Sequence, residues 1–447
     1  MDTGDTAWVL ASAAMVLLMT PGLALFYGGM VRAKSVLNMM MMSFGAMALI
    51  GVLWVLYGYS VAFGDDVGSG LLGDPFEFFG LDGLFGIDDD FAATSLVATI
   101  PSAAFVAFQG VFAIITVALI SGAIADRARF GPWMVFAGVW ATVVYFPVAH
   151  WVFAFDGYES ETGGWITHLG VLDFAGGTAV HINAGAAGLA LALVLGKRRG
   201  FGRDPMRPHN LPLVMAGAGL LWFGWFGFNA GSALGANGQA AEVFVTTLVA
   251  TSAAILGWLL IEKVRDGHAT SLGGASGAVA GLVAITPACG AVTPIGAILV
   301  GLIAGVLCAL AVGLKFKFGY DDSLDVVGVH LVGGLWGTLA VGLFASATAS
   351  QATDGLFYGG GLGQLGKQAV GALAVLGYSF VLTFIIGTVI AKTMKFRITE
   401  EDEVTGIDSV VHAETAYDFA SLGGSGGATL VGQAHAEARN TEGATRA

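Results

Sequence analysis

Two histidines lie deep inside long apolar stretches of the chain, where a titratable side chain is costly to bury. His181 occurs in DFAGGTAVHINA, which begins at Asp173, and His330 occurs in DVVGVHLVGG, which begins at Asp325. Each lies about a third of the way into its stretch, counted from opposite faces of the membrane. A lone histidine of this kind is often a hydrogen-bonded packing residue. Two placed antisymmetrically favour a polar site between inverted halves of the chain.

Other side chains near this pair could contribute chemistry. The polar candidates are Gln109, His150, Asn229 and Ser232, and aromatic residues recur in 108–112 and 222–228. An aromatic belt at the membrane interface is the ordinary explanation for such clusters, whereas the intervening glycines leave room for a narrow passage. HExxH, GxSxG and phosphate-loop motifs are absent, and neither the histidines nor Cys289 and Cys308 have metal-ligand spacing. The sequence therefore predicts no enzyme, no cofactor and no metal site.

The elements that must hold these residues are membrane helices. The chain has 447 residues, of which 56% are hydrophobic and 11% charged, whereas soluble proteins carry about 25% charged residues. A membrane helix needs about 20 apolar residues. Stretches without Asp, Glu, Lys or Arg cover 7–31, 35–64, 91–125, 130–155, 174–196, 208–241, 243–261, 267–314, 326–353 and 368–391. A turn-prone run at 286–290, followed by Pro294, divides the stretch 267–314. We therefore expect an all-α integral membrane protein with eleven transmembrane helices.

Basic residues indicate how these helices are oriented. In an eleven-span chain, the basic residues from Arg32 to Arg397 follow odd-numbered spans and fall on one side, with Lys367 as the exception. Loops rich in Lys and Arg stay in the cytoplasm. We therefore expect a multi-pass protein of the plasma membrane, with its N-terminus outside and its C-terminus cytoplasmic.

Acidic residues concentrate in the loops expected outside and in the tail, and the formal net charge is −13. A field of this sign raises the local concentration of cations. A solvated surface suited to high salt would have the same composition, so the acidic loops fit either interpretation. The charge argues against nucleic acid as a partner.

Six segments resemble signatures of the Amt/Rh ammonium transporter superfamily, on its Amt branch. They are PGLALFYGGMVRAKSVLN (21–38), FQGVFAIITVALISGAIADR (108–127), DFAGGTAVHINAGAAGLALALVLGKR (173–198), PHNLPLVMAGAGLLWFGWFGFNAGS (208–232), TPACG (286–290) and DVVGVHLVGG (325–334). The resemblance implies a homotrimer with one pore in each subunit. It also implies a transmembrane domain over 1–397, built from two inverted five-helix repeats, about 7–196 and 208–347, plus one additional helix, about 368–391.

The resemblance also implies roles for residues of the pore. His181 and His330 match the paired histidines that line it. Phe112 and Phe228 match the two stacked phenylalanines of its gate, and Trp225 matches an aromatic residue of the substrate-binding wall.

An outer vestibule is implied as well. Ser232 matches the hydroxyl that accepts a hydrogen bond from ammonium, and Asp173 matches a carboxylate that supports this site. Phe153 stands where the family has a substrate-binding tryptophan. Trp151 or Trp165 could fold in to replace it.

The implied function is ammonium transport. Ammonium would be recruited at the vestibule and deprotonated at the phenylalanine gate, and ammonia would then cross along the twin-histidine pore. One alternative is an ammonium sensor with the same fold, which usually carries an added signalling domain. Another is an Rh-like neutral gas channel, although the FQGVF, GFNAGS and HAETAY segments are closer to the Amt branch.

The segment 398–418 resembles the family's cytoplasmic regulatory tail. Its matching residues are His412, Glu414 and Tyr417, with Ala413 where the family usually has glycine. We expect this tail to pack on the cytoplasmic loops, beside the basic loop Lys197–Arg207. The resemblance implies a PII-type signalling protein as a partner at this face. Residues 419–447 are rich in Gly and Ala and are predicted to be disordered.

Overall fold

The computed structural model describes residues 1–87, 93–158 and 160–417. The acidic residues at 88–90 and 159 and the predicted disordered tail 419–447 lie outside the described residues. Within the described part, ten helices are long and apolar enough to cross a membrane. One further apolar helix, with 15 residues, is shorter. The chain is therefore an all-helical membrane protein, as its composition predicted.

The eleven apolar helices are labelled in chain order. They are α1 (Thr3–Met30), α2 (Val36–Phe63), α3 (Ser102–Ile124), α4 (Phe130–Phe153), α5 (Gly177–Leu195), α6 (Leu211–Ala233), α7 (Gly238–Asp266), α8 (Ser271–Ile285), α9 (Pro294–Phe318), α10 (Val327–Phe344) and α11 (Gly363–Met394). Short helices outside them are Phe79–Leu81, Trp165–Leu169, Leu356–Tyr358, Glu400–Thr405 and Asp408–His412. An antiparallel hairpin of β1 (Leu96–Val97) and β2 (Ile100–Pro101) precedes α3, with Val97 opposite Ile100.

Several helices begin at residues that satisfy the free backbone N–H groups of a first turn. The capping side chains of α6, α7, α8 and α9 are those of Asn210, Asn237, Thr270 and Thr293. The predicted break within 267–314 is confirmed, since α8 ends at Ile285 and α9 begins at Pro294. Proline suits this first position because its missing N–H would have no partner there.

The two sides of the helix bundle can be told apart by what packs at each end of α1. At the start of α1, the Asp2 N–H donates to the Thr99 carbonyl oxygen; we call this the N-terminal side. At its far end, the Asp408 N–H donates to the Lys34 carbonyl oxygen. The segment 398–417 lies there, and we call this the tail side.

Helices α5 and α10 cross closely at the centre of the molecule. A Cβ on Gly185 of α5 would lie 2.5 Å from the Leu331 backbone nitrogen, and a Cβ on Gly334 would lie 3.1 Å from the Gly177 carbonyl oxygen. Side chains at this crossing are therefore held by backbone-to-backbone contact. His181 and His330 lie on these two helices.

Helices α7 and α9 also meet backbone to backbone. A Cβ on Gly301 would lie 2.0 Å from the Ala250 carbonyl oxygen, and one on Gly305 would lie 2.1 Å from the Ala254 carbonyl oxygen. The pair forms a GxxxG pattern on α9, which lets helices approach closely in lipid, where no hydrophobic force drives them together.

Replacing Gly301 with alanine should therefore separate α7 from α9 and lower the unfolding temperature of the protein in detergent. Gly377→Ala, on α11, is the matched control, because its Cβ would meet no atom within 4 Å and alanine favours a helix by about 1 kcal/mol over glycine. Equal unfolding temperatures for the two variants would show that the close crossing contributes nothing to stability.

Candidate functional site

The two deep histidines face each other at the centre of the bundle. The Nδ1 atoms of His181 and His330 are 3.3 Å apart, and the rings are stacked with centroids 5.4 Å apart and planes at 22°. Both side chains are buried, with 1% and 3% exposed. The structure therefore brings together the pair that the sequence placed on different spans.

Each histidine is positioned by a carboxylate at the start of its helix. The Asp173 side chain accepts hydrogen bonds from the backbone N–H groups of Gly176, Gly177 and Thr178. The Asp322 side chain accepts from those of Val326 and Val327, at 3.1 and 2.7 Å. A carboxylate is stabilising at this end of a helix because the helix dipole is positive there.

The spacing repeats between the two helices. His181 is eight residues beyond Asp173, and His330 is eight beyond Asp322. Both histidines lie in a π-helical turn, over Gly177–Ile182 and Val327–Leu331, which is a rare geometry found often at functional sites. From the sequence, the position of His330 was counted from Asp325, and the capping role of Asp322 was missed. The repeated spacing of eight residues would have identified Asp322. Asp325 instead accepts from the Lys315 Nζ at 2.6 Å.

Two stacked phenylalanines lie next to two cavities of very different size. Phe112 and Phe228 are stacked, with centroids 4.1 Å apart and planes at 22°, and both are almost fully buried. Phe112 lines a cavity of about 430 Å³ on the N-terminal side, the vestibule cavity. Phe228 lines a passage of about 10 Å³ together with His181 and His330. One ring of the stack therefore lines each cavity.

The vestibule cavity carries the other residues assigned to it from the sequence. Its lining includes Ser232, Asp173 and Phe153. The Ser232 Oγ donates to the Phe228 carbonyl oxygen at 2.8 Å, which leaves its lone pairs able to accept. The edge of the Phe153 ring lies against Phe112, with centroids 6.5 Å apart.

The tryptophans Trp225, Trp151 and Trp165 lie outside the lining of the vestibule cavity. Trp225 stacks on His181 at 5.3 Å, and its indole N–H donates to the Thr286 Oγ1, so it belongs to the wall of the inner passage. Trp151 packs on Trp165 and Tyr378 and does not line the vestibule cavity. Neither Trp151 nor Trp165 takes the place of the tryptophan expected at Phe153.

Comparison with known proteins places this arrangement in a family. The sequence profile described as Ammonium Transporter Family matches residues 7–417. The chain is 63% identical over 440 residues to an ammonium transporter of Mycobacterium tuberculosis, which covers 95% of this chain and 92% of that protein. The chain belongs to the ammonium transporter family.

Other ammonium transporters and solved structures agree with this placement. An ammonium transporter of Bacillus subtilis is 47% identical over 93% of this chain and 99% of its own length. The crystal structure of Saccharomyces cerevisiae Mep2 matches with a TM-score of 0.80 at 36% identity, covering 90% of this chain and 88% of that chain. A structure titled Sensor Amt Protein matches with a TM-score of 0.82 at 30% identity, covering 91% of this chain and 98% of that one.

The tail of this ammonium transporter contacts the start of α2 and the loop before α6 on the tail side. The His412 Nε2 lies 3.0 Å from the Asn38 Oδ1, and the Tyr417 hydroxyl lies 2.7 Å from the His209 Nε2. The Glu414 side chain is exposed. Ala413 adopts a left-handed φ of 56°, so alanine forms here the kind of turn that favours glycine.

Two acidic residues of the tail make contacts that the sequence did not single out. The Asp408 carboxylate accepts from the Leu37 and Asn38 backbone N–H groups at 2.9 and 2.8 Å, so the tail caps the start of α2. The Glu403 carboxylate, almost fully buried, pairs with Arg32 and Arg397. The basic loop Lys197–Arg207 was expected beside the tail. The backbone N–H of its Arg199 donates to the Glu403 carboxylate.

Beneath the tail lies a cluster of buried charges. The Arg198 guanidinium contacts the Asp126 carboxylate at 2.9 Å and the Asp321 carboxylate at 2.8 Å. Burial by itself raises the pKa of Asp126, but the charges of Arg198 and Arg32 outweigh it and hold that pKa below its ordinary value. Among the described residues, no group of three or more His, Cys, Asp or Glu side chains is placed to hold a metal ion.

Replacing Asp126 with asparagine should lower the free energy of unfolding by about 3 kcal/mol, because it leaves Arg198 buried with one partner fewer. The depressed pKa means that this contribution is complete above the ordinary value of 3.8 and is lost as the pH falls through the folded-state pKa. Thermal unfolding in detergent, measured from pH 8 down to pH values below 3.8, should show a gap between the wild type and the variant that closes only in acid.

The matched control is Asp266→Asn, because Asp266 pairs with Arg265 at the surface with about half of each side chain exposed. This change should leave stability almost unaltered. A gap for Asp126→Asn that stayed constant into acid would mean that the lost charge is not the cause.

Proposed function

We propose that this chain transports ammonium by recruiting it in the vestibule cavity, separating it into ammonia and a proton near the Phe112–Phe228 stack, and conducting ammonia along His181 and His330. The released proton crosses separately, so each cycle moves one positive charge and produces a current. The observation that carries the proposal is the ring stack between the two cavities. On one side lies a cavity of about 430 Å³ with polar lining, and on the other a passage of about 10 Å³.

The size and lining of the inner passage favour a neutral species. Moving an unpaired charge into an apolar environment costs far more than this lining could return. Ammonia carries no charge, and it can exchange hydrogen bonds with a neutral imidazole, which offers one donor and one acceptor. The histidine pair is the polar feature of a passage lined otherwise by residues such as Leu221, Val180 and Ile115.

Recruitment in the vestibule cavity would use aromatic faces and one hydroxyl. A cation is attracted to an aromatic face, more strongly to tryptophan than to phenylalanine, so Phe153 gives a weaker site than a tryptophan would. The Ser232 Oγ can accept one N–H of ammonium while it donates to Phe228. The Asp173 oxygens are already occupied by backbone N–H groups, which supports a positioning role rather than direct binding.

We also propose eleven membrane spans arranged as two inverted five-helix repeats plus α11. The support is the pair of carboxylate-capped helices, α5 and α10, each with a histidine at the same distance from its cap. In the inverted arrangement the first cap lies outside and the second lies inside. Because Arg32, Arg198 and Arg397 gather on the tail side, the positive-inside rule favours a cytoplasmic tail and an external N-terminus in the plasma membrane.

A homotrimer and a PII-type partner belong to the same proposal. The family resemblance supports the trimer, and α7 and α9 present exposed apolar side chains, including Leu256 at 66% and Ile295 at 67% exposure, that suit a neighbouring subunit. A PII-type signalling protein would act at the tail side, where the ordered tail covers the loops.

A second candidate function is ammonium sensing. It is favoured by the likeness to the structure titled Sensor Amt Protein, at 30% identity over 98% of that chain. Flux distinguishes the two functions, because a sensor reports ammonium without conducting much of it. An Rh-like gas channel has less support, since the curated relatives at 63% and 47% identity are ammonium transporters.

Replacing either His181 or His330 with alanine should reduce ammonium-evoked current in proteoliposomes by about tenfold or more, or abolish its selectivity over potassium. The reason is that each loss removes the hydrogen-bond partner of a polar molecule inside an apolar passage, which costs on the order of 1–3 kcal/mol. Currents after an ammonium pulse and a potassium pulse measure both effects.

His168→Ala serves as the control, because this exposed histidine pairs with Asp156 far from the passage. Unchanged flux and selectivity in both pore variants would rule out the conduction route. Wild-type protein that binds ammonium but carries no current would favour the sensor.

Truncation after Thr399 should lower ammonium flux, whereas truncation after Ala420 should leave it near the wild-type value. The shorter chain loses Glu403 and Asp408, and with them the cap of α2 and one of the two buried partners of Arg32. The longer chain keeps every tail contact described above. Flux is measured in the same proteoliposomes, and full flux in the shorter chain would make the tail a passive appendage.

A further inference from the structure

One buried acceptor in the vestibule cavity has no assigned role. Gln351 lies in the loop between α10 and α11 and lines this cavity together with Ser232 and Phe153. Its side-chain Oε1 is buried and has no hydrogen-bond partner among the described residues. Leaving such an acceptor unsatisfied costs about 1–3 kcal/mol, so a donor that reaches this oxygen from the cavity is stabilised there.

The Gln351 backbone is held firmly at this place. Its N–H donates to the Gly290 carbonyl oxygen at 2.9 Å, and the neighbouring Ser350 Oγ donates to the same oxygen at 3.0 Å. Gly290 in turn packs under the Phe174 ring, where a Cβ would lie 2.6 Å from the ring. Phe174 is also part of the cavity lining. The loop is thus tied to the segment that carries Asp173, and the Gln351 backbone cannot leave the cavity wall without breaking these contacts.

We propose that the Gln351 side-chain carbonyl oxygen is a further ligand for the cation in the vestibule cavity and sets how tightly this chain holds ammonium. The proposal rests on the recruitment of ammonium there. Ammonium has four N–H groups, and the Ser232 Oγ satisfies one of them. The amide oxygen satisfies a second, and it offsets the weaker attraction of the Phe153 ring compared with a tryptophan.

Replacing Gln351 with methionine keeps the length of the side chain and removes the amide. This change raises the ammonium concentration for half-maximal current about threefold to tenfold, as expected for one lost hydrogen bond to a charged group, and leaves the maximal current nearly unchanged. Gln351→Glu, of the same shape with a negative charge, lowers that concentration. Solid-supported membrane currents over an ammonium series measure both quantities.

Two further variants make the result decisive. Gln239→Met is the matched control, because Gln239 also lines this cavity but is not among the residues with a buried, unpartnered amide atom. Ser232→Ala tests the vestibule itself, and thermal unfolding in detergent confirms that each variant is folded.

The outcomes separate the two ideas. A raised half-maximal concentration in Ser232→Ala and Gln351→Met, with none in Gln239→Met, supports the role of Gln351. A shift in Ser232→Ala alone overturns that role and keeps the vestibule. No shift in either overturns both. A fall in maximal current without a shift in Gln351→Met makes the residue structural and also overturns the proposal.

Discussion

The cost of placing a charge in hydrocarbon is the constraint on which this structure depends. A charged side chain at the centre of a membrane helix costs about 2.5–3.5 kcal/mol on insertion scales, and a bare ammonium ion faces the same kind of penalty. The stacked rings of Phe112 and Phe228 lie where the wide cavity gives way to the narrow passage. In the proposed function, they stand at the boundary beyond which an ion would have to travel without its water.

The same cost explains where the chain keeps its own charges. Asp173 and Asp322 lie at helix starts, where backbone N–H groups neutralise them without a counter-charge. Arg198 is buried only between two aspartates. These arrangements give Asp173, Asp322 and Arg198 partners in the interior, and the two capping aspartates also fix the helix ends on which the histidines depend. The tail joins this system through Glu403, so the order of the tail and the order of the loops beneath it are coupled.

The features that the sequence predicted are those with a local signal. Apolar length and the Thr286–Pro294 turn predicted the division of 267–314, and polarity alone marked His181 and His330 as exceptional. The features it missed depend on partners distant in the chain. Three aspartates precede α10, and the path of the loop decides which of them caps the helix. From the sequence, only its spacing from His330 could identify Asp322 as the cap. Likewise, nothing in the acidic run 400–403 distinguishes the buried Glu403 from its solvated neighbours.

The two Nδ1 atoms that face each other at 3.3 Å have a consequence for the proposed route of ammonia. Such a contact needs one proton between the nitrogens, so when one ring donates the other must accept, and the tautomer of one histidine dictates that of the other. The pair thus has two arrangements, each obtained from the other by exchanging donor and acceptor. In the proposed function, ammonia moving in either direction meets one donor and one acceptor at this pair, so the concentration gradient sets the net direction.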